Sequence, residues 1–149
     1  MRLEDEIKQV KGFKSEKDKA MLNIVYTANV MMERMLEALK PFNINDQHYN
    51  ILRILRGKHP ESACPGDIKD ILINKRGDLT RLIDKLVKEG YVVRQINPEN
   101  RRMVMNTITD KGLQLIEDIG TFDHMQDMRQ NISEEDAKTL NDIIDKLRD

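Results

Sequence analysis

Residues 74–105 carry eight basic and four acidic side chains, a net +4, although the whole 149-residue chain sums to −1. The tail compensates: residues 117–149 carry four basic and ten acidic side chains, a net −6. Within the basic stretch, Lys75, Arg76, Arg81, Lys85 and Lys88 are interleaved with Asn74, Asp78 and Thr80, and Arg101 and Arg102 follow in the segment NPENRR. Lys and Arg neutralise phosphates, while directional donors such as Arg read the edges of bases. The same residues on an isolated helix would ordinarily be a solvated face. What favours duplex DNA as the partner is that two separate segments share this chemistry.

The rest of the chain offers no competing chemistry. His48, His59 and His124 are far apart and lie in no nucleophile or metal-binding motif. Asp123, His124 and Asp127 are spaced to share one helix face as metal ligands, but short charged triplets on helices are ordinarily solvated. Cys64 is the sole cysteine, which excludes an intramolecular disulfide and any multi-cysteine zinc site. It precedes Pro65 in a loop, where a lone cysteine is ordinarily inert. Gly-rich phosphate loops are absent. The expectation is a protein with no catalytic residues, no metal and no cofactor, and not an enzyme.

Positioning these groups requires a helical scaffold. The length fits one domain with a core of its own. Hydrophobic residues make up 39%, charged residues 34% and aromatics 4%, with seven Gly and four Pro, which excludes both a disordered chain and a β-sandwich by composition. No apolar run approaches the roughly 18 residues of a membrane span. The N-terminal MRLEDEIKQVKGFK lacks the apolar core of a secretory signal. A cytoplasmic location is expected.

Met21, Val25, Ala28, Met32, Met35, Leu36 and Leu39 recur every three to four residues and predict a helix over 17–40, stopped by Pro41. Ile24 and Met31 widen its apolar face. A shorter helix is expected within 2–10. Asn45 is placed to cap a helix over 45–56, with Gly57 just past its end. Residues 66–73 form a short helix with Ile68, Ile71 and Leu72 inward. A further helix follows from about 75 to Glu89, ended by Gly90. On it, Leu79, Leu82, Ile83 and Leu86 share the core face, and Asn74, Gly77, Arg81, Asp84, Lys85 and Lys88 lie opposite.

After Gly90 the period changes. YVVRQI and MVMNTI read as two strands joined by NPENRR. Thr109 caps a helix over about 110–130. Ser133 with Asp136 opens a last helix whose stripe is Ala137, Leu140, Ile143, Ile144 and Leu147. Three helices followed by a two-stranded hairpin make a winged helix-turn-helix, mainly α with a small antiparallel β-wing.

The stretch DLTRLIDKLVKEGYVVRQINPENRRMVMNTITDKG resembles the recognition helix, wing and following helix of the MarR family of bacterial transcriptional regulators, and the architecture fits from about residue 17 onwards. The resemblance implies one domain over 1–149: a winged lobe at about 45–108 and dimerisation helices at about 15–40 and 110–149. It implies a homodimer that addresses a pseudo-palindromic operator as a repressor and is released by a small amphipathic effector. Thr80 and Arg81 match the family's recognition-helix pair, and Arg102, with Arg101 beside it, matches the wing arginine. Lys75, Arg76, Asp78 and Lys85 complete the expected DNA-binding set.

Two features depart from the family pattern. Asn97 and Asn100 stand where the wing usually has aspartates, so a charge-assisted buttress of the wing arginine becomes a neutral one. Gly77 and Asp78 stand where small hydroxyl residues are common; Asp78 suits either a cytosine amino group or the helix N-terminus, and the second is favoured. Effector contacts are expected from Tyr26, Met35, His48 and Tyr49, while Met21, Met31 and Met32 suit the core and the dimer interface. A dimeric adaptor that uses this fold without binding DNA is the alternative, against which the +4 stretch and the two wing arginines weigh.

Overall fold

The computed structural model describes residues 2–8, 11–120 and 123–149, Asp123 by its backbone alone. Helix α1 (Leu3–Glu6) precedes the long α2 (Glu16–Leu39), whose N-cap Ser15 accepts the Asp18 amide. Residues 9 and 10 of the expected N-terminal helix lie outside the described residues. Leu3 is buried, and Lys19 pairs with Glu4 at 2.6 Å, so α1 folds back along α2. A 3₁₀ turn, Lys40–Phe42, contains Pro41 and ends at Asn43, whose φ of 55° is left-handed.

Next come α3 (Asp46–Lys58), α4 (Pro65–Ile71) and α5 (Leu79–Lys88). The antiparallel strands β1 (Val92–Ile96) and β2 (Val104–Ile108) pair with Val92 opposite Ile108. Ala63 adds a bridge on the far edge, exchanging both backbone hydrogen bonds with Asn106 at 2.9 and 2.8 Å. After the wing lie α6 (Asp110–Ile119), a 3₁₀ turn (Asp123–Met125), α7 (Gln126–Gln130) and α8 (Glu134–Lys146).

The core lies in the central lobe, with Leu39 from the end of α2 wholly buried in it. Ile51, Leu52 and Leu55 of α3, Ile68 of α4, Ile83 and Leu86 of α5, and Ile116 of α6 are at most 1% exposed. Burying such side chains is worth roughly 1.5–3 kcal/mol each and holds the lobe together without α8. The outer helices contrast with this. Val25, Met32 and Leu36 of α2, and Leu140 and Ile143 of α8, are exposed by 42–55% in the single chain.

Several boundaries depart from the sequence reading. Gly57 lies inside α3, which runs to Lys58 and closes at His59 before Pro60. Ile71 is exposed rather than inward, because the helix ends there and only Ile68 and Leu72 face the core. The helix expected over 110–130 stops at Ile119: Gly120 takes a φ of 71°, and the chain resumes as separate short segments. Residues 121 and 122 of that expected helix lie outside the described residues. Among the described residues, no helix is long and apolar enough to cross a membrane.

Candidate DNA-reading surface

The geometry of the basic module starts from its caps. Asp78 takes extended backbone angles, and its carboxylate accepts the Arg81 amide at 3.2 Å. Helix α5 therefore starts at Leu79 and not at 75. This use of Asp78 follows the helix-terminus alternative, an acidic cap being favourable at the positive end of the helix dipole. Residues 75–77 lie in the turn before it, where a Cβ on Gly77 would come within 2.8 Å of the Gln47 side chain of α3. The turn is pinned by asparagines: Asn50 of α3 accepts the Ile73 amide at 3.1 Å, and Asn74 accepts the Arg76 amide at 3.1 Å.

This frame leaves Lys75, Arg76, Thr80 and Arg81 exposed, while Ile83 and Leu86 of the same helix are buried. Lys85 differs. It is half-buried, and its ammonium turns back to donate to the backbone carbonyl of Asn43.

The wing presents Arg101 and Arg102 at its exposed tip. Asn97 accepts the amides of Glu99 (2.8 Å) and Asn100 (3.3 Å), and Asn100 accepts that of Arg102 (3.1 Å). The two asparagines thus brace the turn through its backbone rather than through the arginine side chain, and neutral acceptors suffice for that. Arg94 of β1 pairs with Asp84 of α5 at 2.6 Å, joining wing to helix. Asn106, wholly buried on β2, also donates its amide to the Ala63 carbonyl at 3.3 Å. Gln47, Asn50 and Arg94 were not legible as site-positioning residues from spacing, since each acts across the fold.

The expected effector residues separate into three places. Met35 and Tyr49 line a cavity of about 130 Å³ with Met32, Arg53, Leu72 and Ile73. The Arg53 guanidinium sits 5.9 Å from the centre of the Tyr49 ring. Tyr49 is buried and donates to the Gly120 carbonyl at 3.3 Å. His48 lines a different crevice, between α3 and α5, with Lys85. Tyr26 lies nearer the start of α2 and donates its hydroxyl to the Glu6 carboxylate at 3.2 Å; desolvation first, and then this bond, raises its pKa.

Arg34 of α2 grips both carboxylate oxygens of Asp127 on α7, at 2.6 and 2.8 Å, and this contact holds the Asp127 carboxyl below its usual range. Cys64 serves as the N-cap of α4, its sulfur 3.4 Å from the Asp67 amide. Among the described residues no group of three or more His, Cys, Asp or Glu is placed to hold a metal; the Asp123 side chain of the triplet considered above lies outside them.

A short helix, a tight turn, a capped helix with an exposed basic start and a braced β-hairpin define a winged helix-turn-helix module. The MarR family profile matches residues 44–104. The multiple antibiotic resistance protein MarR of Escherichia coli is 28% identical over 130 residues, covering 83% of this chain and 88% of that protein. The crystal structure of a MarR transcription factor from Planctomyces limnophilus is 32% identical and superposes with a TM-score of 0.62 over 92% of this chain and 98% of that one. A mutant E. coli MarR complexed with operator DNA, 24% identical, shares the fold with a TM-score of 0.73 over 91% and 99% of the two chains. The chain belongs to the MarR family and is a winged-helix transcriptional regulator, as the recognition-helix and wing residues implied.

Proposed function

We propose that this regulator works as a homodimer in the cytoplasm, binds a pseudo-palindromic site in double-stranded DNA, represses transcription from it and is released by a small amphipathic effector. The observation that carries the reading is the Asp84–Arg94 pair, which couples the exposed basic start of α5 to the wing bearing Arg101 and Arg102. In this reading Thr80 and Arg81 enter the major groove, Lys75 and Arg76 contact phosphates at the preceding turn, and Arg101 and Arg102 reach phosphate or a narrow minor groove. Asp78 contributes by capping the helix that carries Thr80 and Arg81.

The related E. coli protein crystallised with operator DNA supports the choice of ligand. Dimerisation is supported by the half-exposed apolar faces of α2 and α8, which a twofold partner would cover. In this reading the effector enters at the Met35–Tyr49 cavity, between the long helix and the lobe. Its 130 Å³ is small beside the roughly 300–1,000 Å³ of drug-sized sites, so a ligand must part helix and lobe to enter. That displacement is how it would change half-site spacing.

Footprinting on DNA upstream of the protein's own gene at two salt concentrations tests the reading. The expected result is a symmetric protected site whose occupancy falls steeply with salt. Absence of protection at low salt, with early elution from heparin, refutes it in favour of the adaptor.

A further inference from the structure

Recognition helix α5 is tied by a side chain to the turn that follows the long helix α2. The Lys85 ammonium donates to the carbonyl of Asn43, the left-handed residue that ends the 3₁₀ turn after α2. Next to this contact lies His48, only 6% exposed. His48 is the third residue of α3, and its Nδ1 accepts the Asn45 amide at 3.2 Å while its own amide donates to the Asn45 side chain at 3.0 Å. An imidazole that accepts at Nδ1 carries its proton on Nε2, and the imidazolium has no lone pair left for the Asn45 amide. Protonation therefore opens the capping box and places a new positive charge beside Lys85.

The crevices on which His48 opens bring charged groups from every packed element. Glu37 and Lys40 come from the end of α2 and the 3₁₀ turn, Asp46 from its own helix, and Asp78, Arg81 and Lys85 from the recognition helix and its cap. Burial first, then Lys85, lowers the imidazole's affinity for a proton, and Asp46 opposes them.

We infer that Lys85 is a positioning residue whose contact with Asn43 sets the recognition helix against α2, and that protonation of His48 releases this latch. The effect on DNA rests on the DNA-binding reading above. The latch itself does not, because it joins two parts of one chain.

The direction follows from linkage. The folded state holds His48 neutral at pH values where the unfolded chain already binds a proton. Its stabilising contribution is complete above the ordinary histidine value of about 6.5 and is lost as pH falls through the lower, folded value. A recognition helix released from α2 is less well aimed at bases, while the added charge still attracts phosphates. Acid should thus erode discrimination more than affinity.

The experiment compares the full-length wild type with His48→Gln, which keeps an acceptor for the Asn45 amide but does not titrate, and Lys85→Met. Proton NMR follows the imidazole titrations, with His48→Gln identifying the missing resonance. Binding is measured from about pH 8 to about pH 5 to the footprinted duplex and to a shuffled duplex of equal length.

The His48 midpoint should rise in Lys85→Met. The wild type's preference for the footprinted duplex should fall roughly tenfold across that range, stay level in His48→Gln, and start low in Lys85→Met. An unchanged midpoint in Lys85→Met, or an equal pH dependence in His48→Gln, overturns the latch. Failure of the wild type to bind either duplex sinks the DNA reading instead, and the NMR comparison still decides the latch.

Discussion

Replacing Gly112 by alanine tests the joint on which the wing turns back into the helical arm. Gly112 is the third residue of α6, where its amide donates to the capping hydroxyl of Thr109 at 3.1 Å. A Cβ there would sit 2.4 Å from the Tyr91 carbonyl oxygen and 2.7 Å from Cγ1 of Ile108. Neither neighbour yields easily. The Tyr91 carbonyl accepts the Thr109 amide at 3.0 Å, and Ile108 is buried opposite Val92 in the wing.

Overpacking a tight site costs about 1–3 kcal/mol, and two immobile neighbours put Gly112→Ala at the upper end. Removing a helical glycine returns up to about 1 kcal/mol. The net loss should be about 2 kcal/mol, or about 4–8 °C in melting temperature for a chain of this size. The assay is a thermal melt with a parallel urea titration, at one fixed protein concentration because dimer stability depends on it. A variant that melts with the parent or above it would show that this approach does not hold the wing against α6.

Arg81→Ala should weaken operator binding by ~1–3 kcal/mol and relax preference at one base position per half-site, whereas Arg102→Ala should lower the salt slope by about one unit for each phosphate it ceases to neutralise; a binding series across salt separates them. Both side chains are exposed, so melts should move by less than ~0.5 kcal/mol. A chain truncated after Gln130 should aggregate or lose its dimer in analytical ultracentrifugation, since α8 supplies an apolar face that the lobe does not cover. Asn97→Ala removes the acceptor of two wing amides, so hydrogen exchange at Glu99 and Asn100 should accelerate while global stability changes by less than ~1 kcal/mol.

Features set by local rules were legible in the residues themselves. Asn45, Thr109 and Ser133 cap the helices whose starts they mark, and the change of period after Gly90 marks the wing. Errors arose where two local rules compete or where a partner is distant. The recognition helix is expected from about 75, although its apolar face begins only at Leu79, and the Asp78 cap starts it there. Gly57 resembles a stop signal, yet the α3 backbone accommodates it without leaving the helix. Gly120 gave no such warning and breaks α6. Lys85 reads as a solvent-facing cation, and only the fold brings Asn43 to it across 42 residues of chain. The expected effector residues lie on two helices, and their dispersal reflects directions around those helices that adjacency conceals: His48 and Tyr49 are consecutive yet open on different crevices.

The winged lobe is bounded by two special joints, Asn43 at φ 55° and ψ 34° on one side and Gly120 at φ 71° and ψ 144° on the other. The second lies near a region that essentially only glycine occupies. Each joint is also gripped from inside the lobe, Asn43 by Lys85 and Gly120 by Tyr49, both through a backbone carbonyl. Carbonyls are common to every residue type, so these two fasteners travel with the lobe. The span 43–120 therefore carries both grips and both turns but not Leu39 of α2, which is wholly buried in the same core, so a chimera that transplants the span onto another pair of arms keeps its packing only where the new arm supplies an apolar side chain there. A cut a few residues inside either joint separates a grip from its turn, leaving the lobe hung by packing alone.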